Sequence, residues 1–347
     1  MTEADKQQRS RVVRATVAVA VVFALLLGTL FATVGSLNKE VYSASGFVRQ
    51  YLDALARQDT TGALALDGVL PTATQLQTEG LAPDLPKTLL RSSVLSDITH
   101  IELRSDVETT PGAHTVVYDF RLDGQKSSMK FSVRSTGRFA GVFNSWRFAS
   151  SPLAALAVTV LHQSTFTVSG LRLDTRAHAA ADAQDSFSNS ATYLAFAPSL
   201  YSVRHDSALL SAAPSTIAVT TPGLTEISVD AVPNEAFIKQ VQGELNSFLD
   251  ICATQTVLQP TNCPFGTTID NRVLQAPAWS IADYPAVALT PGETRFEMPT
   301  TEGQAHITVR VQSLFDGRIE TRDENVPFSM GLSVSIQPSG ALAIQLH

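Results

Sequence analysis

The sequence predicts an α+β fold behind an N-terminal transmembrane helix, on three observations. The stretch from Ala15 to Leu37 carries no charge and is mostly Val, Ala, Leu and Phe. After Ser43 the apolar residues recur at helical spacing, and from Ile101 they recur every second residue. From Pro233 the same order returns, a helix first and antiparallel strands after it.

At ~1.5 Å rise per residue, the segment 15–37 covers the ~30 Å hydrocarbon core of a bilayer. Lys6, Arg9, Arg11 and Arg14 precede it, and only Lys39 follows closely. The excess of basic residues places the tail 1–14 in the cytoplasm and the rest of the chain outside the plasma membrane. A cleaved signal peptide is the rival reading, but its apolar core is usually ~7–15 residues and ends at an Ala-x-Ala site. No such site follows Leu37, and no cysteine near it offers a lipid anchor. Both readings export the remainder.

The next region, 40–151, reads as helices and then a sheet. Phe47, Val48, Tyr51, Leu52 and Leu55 form one face of a helix over 43–58. Asp59-Thr60-Thr61-Gly62 breaks it, Ala63–Leu66 is a second short helix, and a third opens near Pro86 with Leu89, Leu90, Val94 and Leu95 inward. Strands follow. Ile101 and Leu103 alternate with charged residues, as do Val116, Tyr118, Phe120 and Leu122, and then Met129, Phe131 and Val133. Asp123-Gly124 signals a hairpin, and Phe143–Phe148 is the fourth strand. The run Phe47-Val48-Arg49-Gln50-Tyr51-Leu52-Asp53-Ala54-Leu55-Ala56-Arg57-Gln58-Asp59, with Gly62-Ala63-Leu64-Ala65-Leu66, resembles the opening of NTF2-like domains. The likeness extends to actinobacterial single-pass membrane proteins that carry such domains outside the cell. It implies a cone of helices and curved sheet, and it implies no activity, because that fold serves enzymes, binding modules and spacers alike.

Region 152–232 reads as a β-rich spacer with strands at Ala157–Leu161, Phe166–Leu173, Thr192–Ala195, Tyr201–His205, Ile217–Thr220 and Glu226–Val229, and an exposed loop from Arg176 to Ser190. The phrase from Ala191 to Val203 resembles small β-sandwich modules of cell-envelope proteins. Region 233–347 opens with a helix whose stripe is Phe237, Ile238, Val241, Leu245, Phe248, Leu249 and Cys252. Strands are expected at Ala286–Leu289, Ala305–Leu314, Pro327–Gln337 and Ala341–Leu346, the last two joined at Pro338-Ser339-Gly340. This order suggests a second NTF2-like or cystatin-like unit. Asn262-Cys263-Pro264-Phe265-Gly266 and Val311–Gly317 resemble the C-terminal part of actinobacterial membrane proteins.

Cys252 and Cys263 are the only cysteines, and in an exported chain this short spacing reads as a disulfide. No His, Asp or Glu lies between them to complete a metal site, and Cys-x-x-Cys redox spacing is absent. Other chemistry is sparse. There is no Gly-x-Ser-x-Gly, Ser-x-x-Lys, His-Glu-x-x-His or phosphate-binding Gly-rich loop. His205-Asp206 reads as structural. His100 and Glu102 share a strand face as solvent-facing polar residues. Asp316, Glu320, Asp323 and Glu324 read as a solvated hairpin loop, with weak calcium binding as the alternative. Asp119 is the one strand acid that could serve a cavity, but its alternation points it away from the aromatic face.

The net charge of −7 and the lack of a dense Lys/Arg stripe argue against a nucleic-acid partner. The expectation is a membrane-anchored extracytoplasmic protein, its partner the lipid bilayer through 15–37 and an envelope protein or wall polymer through a non-enzymatic ectodomain. No cofactor, metal or catalytic residue is expected. The alternative is a small-molecule binder or isomerase-like enzyme using an NTF2-like cavity.

Overall fold

The computed structural model describes residues 39–347 except 140, 179–185 and 338, together with Val22, Leu25, Leu26, Thr29, Thr33 and Ser36. It is predominantly β, with 48% of residues in strands and 19% in helices. The expected α+β class of NTF2-like helices plus sheet is therefore corrected. Among the described residues no helix is long and apolar enough to cross a membrane, so the transmembrane helix of that class is not found either. The tail 1–14 and most of 15–37 lie outside the described residues.

The helices are few and short. α1 spans Ala44–Ala56, α2 Thr60–Ala65, α3 Ala73–Thr78 and α4 Glu235–Ala253. The break expected at Asp59-Thr60-Thr61-Gly62 falls at 57–59, and Thr60-Thr61-Gly62 already belong to the second helix. The Asp59 carboxylate accepts from Gly62 N at 2.8 Å and starts α2. No helix opens at Pro86. The chain there is irregular, with a turn closed by Leu90 N donating to Lys87 O and a 3-10 turn at Ser92–Val94, yet Leu89 and Val94 are fully buried.

By contact the chain divides into two compact units: 1–157 with 192–202 and 216–226, and 158–191 with 203–215 and 227–347. In the first unit β1 (Ile98–Thr110), β2 (Ala113–Leu122), β3 (Gln125–Phe139) and β4 (Phe143–Phe148) form an antiparallel sheet in that order. Val116, Tyr118, Phe120 and Leu122 on β2 and Met129, Phe131 and Val133 on β3 are buried, as period-two alternation requires. Asp123 and Gly124 both take positive φ, the geometry of a tight hairpin. α1 lies on the buried face. Its Tyr51 meets Phe131 and Phe148 edge-on at 6.2 and 5.4 Å, and Phe47 meets Phe148 at 5.0 Å.

Between Ala154 and Pro233 the chain forms β5 (Ala154–Leu161), β6 (Thr165–Val168), β7 (Leu171–Asp174), β8 (Ser188–Ala195), β9 (Ser199–Asp206), β10 (Leu210–Val219), β11 (Gly223–Asp230) and β12 (Val232–Pro233). Two sheets result, β12-β10-β9-β6-β7 and β11-β5-β8. The single strand expected over Phe166–Leu173 is a hairpin, turned at Ser169 and Gly170 with φ of 44° and 87°.

The last sheet holds β13 (Arg272–Val273), β14 (Ala278–Asp283), β15 (Thr290–Pro291), β16 (Phe296–Gln312), β17 (Ile319–Ile336) and β18 (Leu342–Leu346). α4 packs its stripe of Phe237, Val241, Leu245, Leu249 and Cys252 into a core with Phe296, Ile307, Val309, Val311, Leu332 and Val334. Asn234 caps it, the side-chain oxygen accepting from Phe237 N at 3.0 Å. Ala286–Leu289 is not a strand. It lies along α4, where the Gln242 amide donates to Pro285 O and its oxygen accepts from Val287 N.

The acidic stretch 316–324 is not a loop beyond Gly317. Glu320, Asp323 and Glu324 belong to β17 and pair with Val311, Thr308 and Ile307. Directly paired residues share a sheet face, so Glu320, Arg322 and Glu324 lie on the side of buried Val311, Val309 and Ile307. β18 pairs only with Leu332–Ile336, which leaves the start of β17 as an edge. Glu320 and Glu324 remain exposed there, and charged side chains along an edge strand disfavour pairing with another chain.

Candidate functional site

The first place to look for a cavity is the buried face of the β1–β4 sheet, and α1 fills it. Val48, Tyr51, Leu52 and Leu55 have no exposed surface. The Tyr51 hydroxyl donates to Ala197 O at 2.9 Å, and burial pushes its phenol well above the usual range. Tyr201 donates to Phe196 O at 2.9 Å and is likewise raised, chiefly by burial. Both phenols therefore stay protonated and serve as donors to backbone carbonyls. Tyr118, held to Ser45 O at 3.0 Å, is raised to about 12, first by burial and then by the acids Asp53 and Asp106 against the opposing Arg49.

Asp119 lies on the opposite, outer face. One oxygen accepts from Arg104 Nε at 2.8 Å and the other has no hydrogen-bond partner. His100, Glu102, Arg104, Asp119, Arg121 and Lys126 border an open groove of about 560 Å³ there. His100 and Glu102 do not sit at simple i, i+2 positions. His100 has φ of 52°, and the β1–β2 register shifts between Thr99 and Glu102. That bulge was invisible to an alternation count.

In the second unit a cleft of about 630 Å³ is bordered by His162, Asp174, Arg176, Asn189, Phe296 and Gln337 among others. His162 packs against Phe187 and Phe296 at 4.8 and 5.9 Å, with Nδ1 at 3.2 Å from both Ala231 O and an Asp230 carboxylate oxygen. Nothing in the sequence around His162 marked it, because its neighbours come from distant strands. His205 is buried, its ring between Thr165 O at 2.7 Å and Ser207 Oγ at 3.0 Å, so it ties β6 to the end of β9.

Cys252 and Cys263 form a disulfide, and no other cysteine exists. It closes the loop after α4, whose course is also fixed by Trp279 Nε1 donating to Val257 O at 2.8 Å and by Phe265 against Trp279 at 5.1 Å. Tyr284 donates to the Asp250 carboxylate at 2.5 Å. Among the described residues no group of three or more His, Cys, Asp or Glu side chains is placed to hold a metal ion.

No protein-family model matches the chain, and no curated protein matches it. Among solved structures the chain is similar to an Ntf2-like protein involved in plasmid conjugation, at 10% identity over 88% of this chain and 94% of that one, with a TM-score of 0.13. A score that low carries no argument about arrangement or activity. Nothing found supports the likeness to actinobacterial membrane proteins.

Proposed function

We propose that this chain is a membrane-anchored extracytoplasmic protein whose exported units act as a binding or scaffolding body rather than as an enzyme. The observation that carries the reading is the occupation of the first sheet's buried face by α1. A cavity-using enzyme leaves that face open to substrate, whereas here Tyr51, Leu52 and Leu55 close it. The disulfide supports export, since such bonds persist in oxidising compartments.

The anchor rests on the sequence of 15–37. The described residues within it agree with a lipid setting. Val22, Leu25 and Leu26 are helical and turn their side chains outward. The Thr29 and Thr33 hydroxyls donate back to the carbonyls of Leu26 and Thr29 at 2.9 and 2.8 Å, so their polar groups are paired within the helix itself.

The test is crosslinking in intact membranes with the full chain as bait, after alkaline carbonate washing. Retention in the washed membrane and recovery of a discrete crosslinked envelope protein or wall polymer supports the reading. A chain released by carbonate, or one recovered only with a co-purified small molecule, overturns it.

A further inference from the structure

The junction between the anchor segment and α1 has no slack. Lys39 and Glu40 are helical, and only residues 41–43 separate them from α1. Ser43 caps α1 by accepting from Gly46 N at 2.9 Å. The backbone of 40–41 crosses α1 so closely at Gly46 that a Cβ there would lie 2.5 Å from the carbonyl oxygens of Glu40 and Val41. The turn is then fastened to the sheet from three sides. Trp146 Nε1 donates to Tyr42 O at 2.9 Å, Asp106 accepts from Ser45 N at 3.1 Å, and the Tyr42 ring stacks on Phe143 at 4.5 Å.

These contacts identify which end of the sheet meets the anchor. Asp106 lies near the end of β1, Trp146 and Phe143 lie in β4, and the β3–β4 turn is beside them. The opposite end, at Asp123-Gly124, is a strand length away; β3 alone, at ~3.4 Å per residue, runs about 50 Å. From Leu37 to Tyr42 is five steps, at most about 18 Å of chain and far less where helical. The β3–β4 tip carries exposed apolar side chains: Phe139 is 66% exposed and Val142 42%, and Val41 beside the junction is 45% exposed. Arg138, also exposed, pairs with Asn144 at the base of this turn and adds a cation beside the apolar side chains.

The geometry points to a second lipid contact outside the anchor: the β3–β4 tip, through Phe139 and Val142 together with Val41, sits in the interfacial layer of the bilayer that holds 15–37. The first sheet then stands end-on to the membrane. This rests on the anchoring reading above, and the occupant is lipid because the fastened junction keeps the tip within a few residues' reach of the bilayer. Apolar side chains beside a basic one are the composition that enters the headgroup boundary.

The test uses the full chain in vesicles of phosphatidylethanolamine and phosphatidylglycerol. With both native cysteines in the disulfide, F139C, V142C, K126C and L26C each supply one free thiol for an environment-sensitive fluorophore. The expected result is loss of emission at 139 and 142 with headgroup-region nitroxide lipid and protection there from aqueous iodide. Lys126, beside the far turn, should give the reverse. If 139 and 142 behave like 126 while 26 is quenched by lipid, the anchor stands and the tip contact is overturned. Shielding of 139 and 142 from both quenchers puts protein over the tip and also overturns it. Iodide quenching at 26 removes the anchoring reading and this contact with it.

Discussion

α1 on the first sheet and α4 on the last solve one problem in two ways. Each is a single amphipathic helix that must be held in one register on an antiparallel sheet. α1 is fixed at its start, by Trp146, Asp106 and Tyr118 gripping residues 42–45, and by aromatic rings along its length. α4 is fixed at its end, by a disulfide from its last turn to the loop that follows, and by Gln242 bonding the segment 285–287. The first helix follows directly on the anchor segment, so its start is where a rigid joint matters. The second has a loop at its end that lacks regular structure and needs covalent closure.

The comparison is broken most strongly through the cores. Phe148→Ala removes a ring touched by Phe47, Tyr51 and Phe131, and should cost about 3–5 kcal/mol. In chemical denaturation followed by hydrogen exchange, the loss should appear in 44–148 and leave the α4 amides protected. Loss of protection in both regions would mean that the units do not hold their cores independently. Next comes reduction of the disulfide, or Cys252→Ser with Cys263→Ser. On the chain-entropy model, closing a loop of this size stabilises by about 3 kcal/mol. The effect should be confined to α4 and its sheet. Equal destabilisation of α1 would contradict the division of labour.

Smaller effects separate the helix starts. Trp146→Phe keeps the ring but deletes the bond to Tyr42 O, and should cost about 1 kcal/mol. Asn234→Ala removes the cap of α4 at a similar cost, about 1 kcal/mol. The two differ in what they loosen. The first should raise exchange at 41–46, the joint to the anchor segment, while the second should fray only 235–238. If Trp146→Phe leaves 41–46 as protected as before, the joint is held by the stacking on Phe143 and the Asp106 and Tyr118 bonds without it.

What could be read beforehand follows the reach of each physical cause. Alternation on β2 and β3 and the stripe of α4 were legible because one face of each meets a core and the other meets water. The Asp123-Gly124 turn and the Cys252–Cys263 pair were legible because the partners are near in sequence. The helix expected from Pro86 was wrong for the opposite reason. Leu89 and Val94 are buried, but the segment is held in an irregular path by distant partners: Pro86 O accepts from Leu194 N, and the Ser96 hydroxyl accepts from Leu200 N. Apolar spacing reports burial without reporting backbone shape. The acids at 316–324 misled because charge was read as exposure in a loop, whereas a strand edge also selects for it. That the first sheet packs on α1 was legible from the apolar face of each, but composition alone does not separate residues that line a cavity from those that fill it. The majority-strand class was missed because β16 and β17 run through stretches such as 296–304 and 319–326 where exposed residues interrupt the apolar pattern.

The smallest expected effect lies on the outer face of the last sheet. His306 Nδ1 is 2.8 Å from Asn325 Oδ1, and its Nε2 is 2.6 Å from an Asp323 oxygen that also accepts from Thr308. Asn325 in turn donates its amide to Gln304, which turns its oxygen towards the ring. Both ring nitrogens thus face acceptors, the arrangement of an imidazolium. Its pKa is raised above 6.5, by the Asn325 carbonyl first and the Asp323 carboxylate second, while Asp323 is lowered, chiefly by His306. A raised histidine stabilises the fold below its unfolded pKa, and that contribution is lost as pH rises through the folded value. A lowered aspartate stabilises above its unfolded pKa and loses that as pH falls through the folded value. The pair is therefore strongest between the ordinary carboxylate range and the ordinary histidine value of 6.5, and it fades as pH rises from there through the raised midpoint. In an NMR titration, Asn325→Leu and Asp323→Asn should each lower the His306 midpoint. If Asn325 presented its NH₂ instead, Nδ1 would have to accept and the ring would be neutral. The midpoint would then lie at or below 6.5 in the unaltered chain, and Asn325→Leu would raise it.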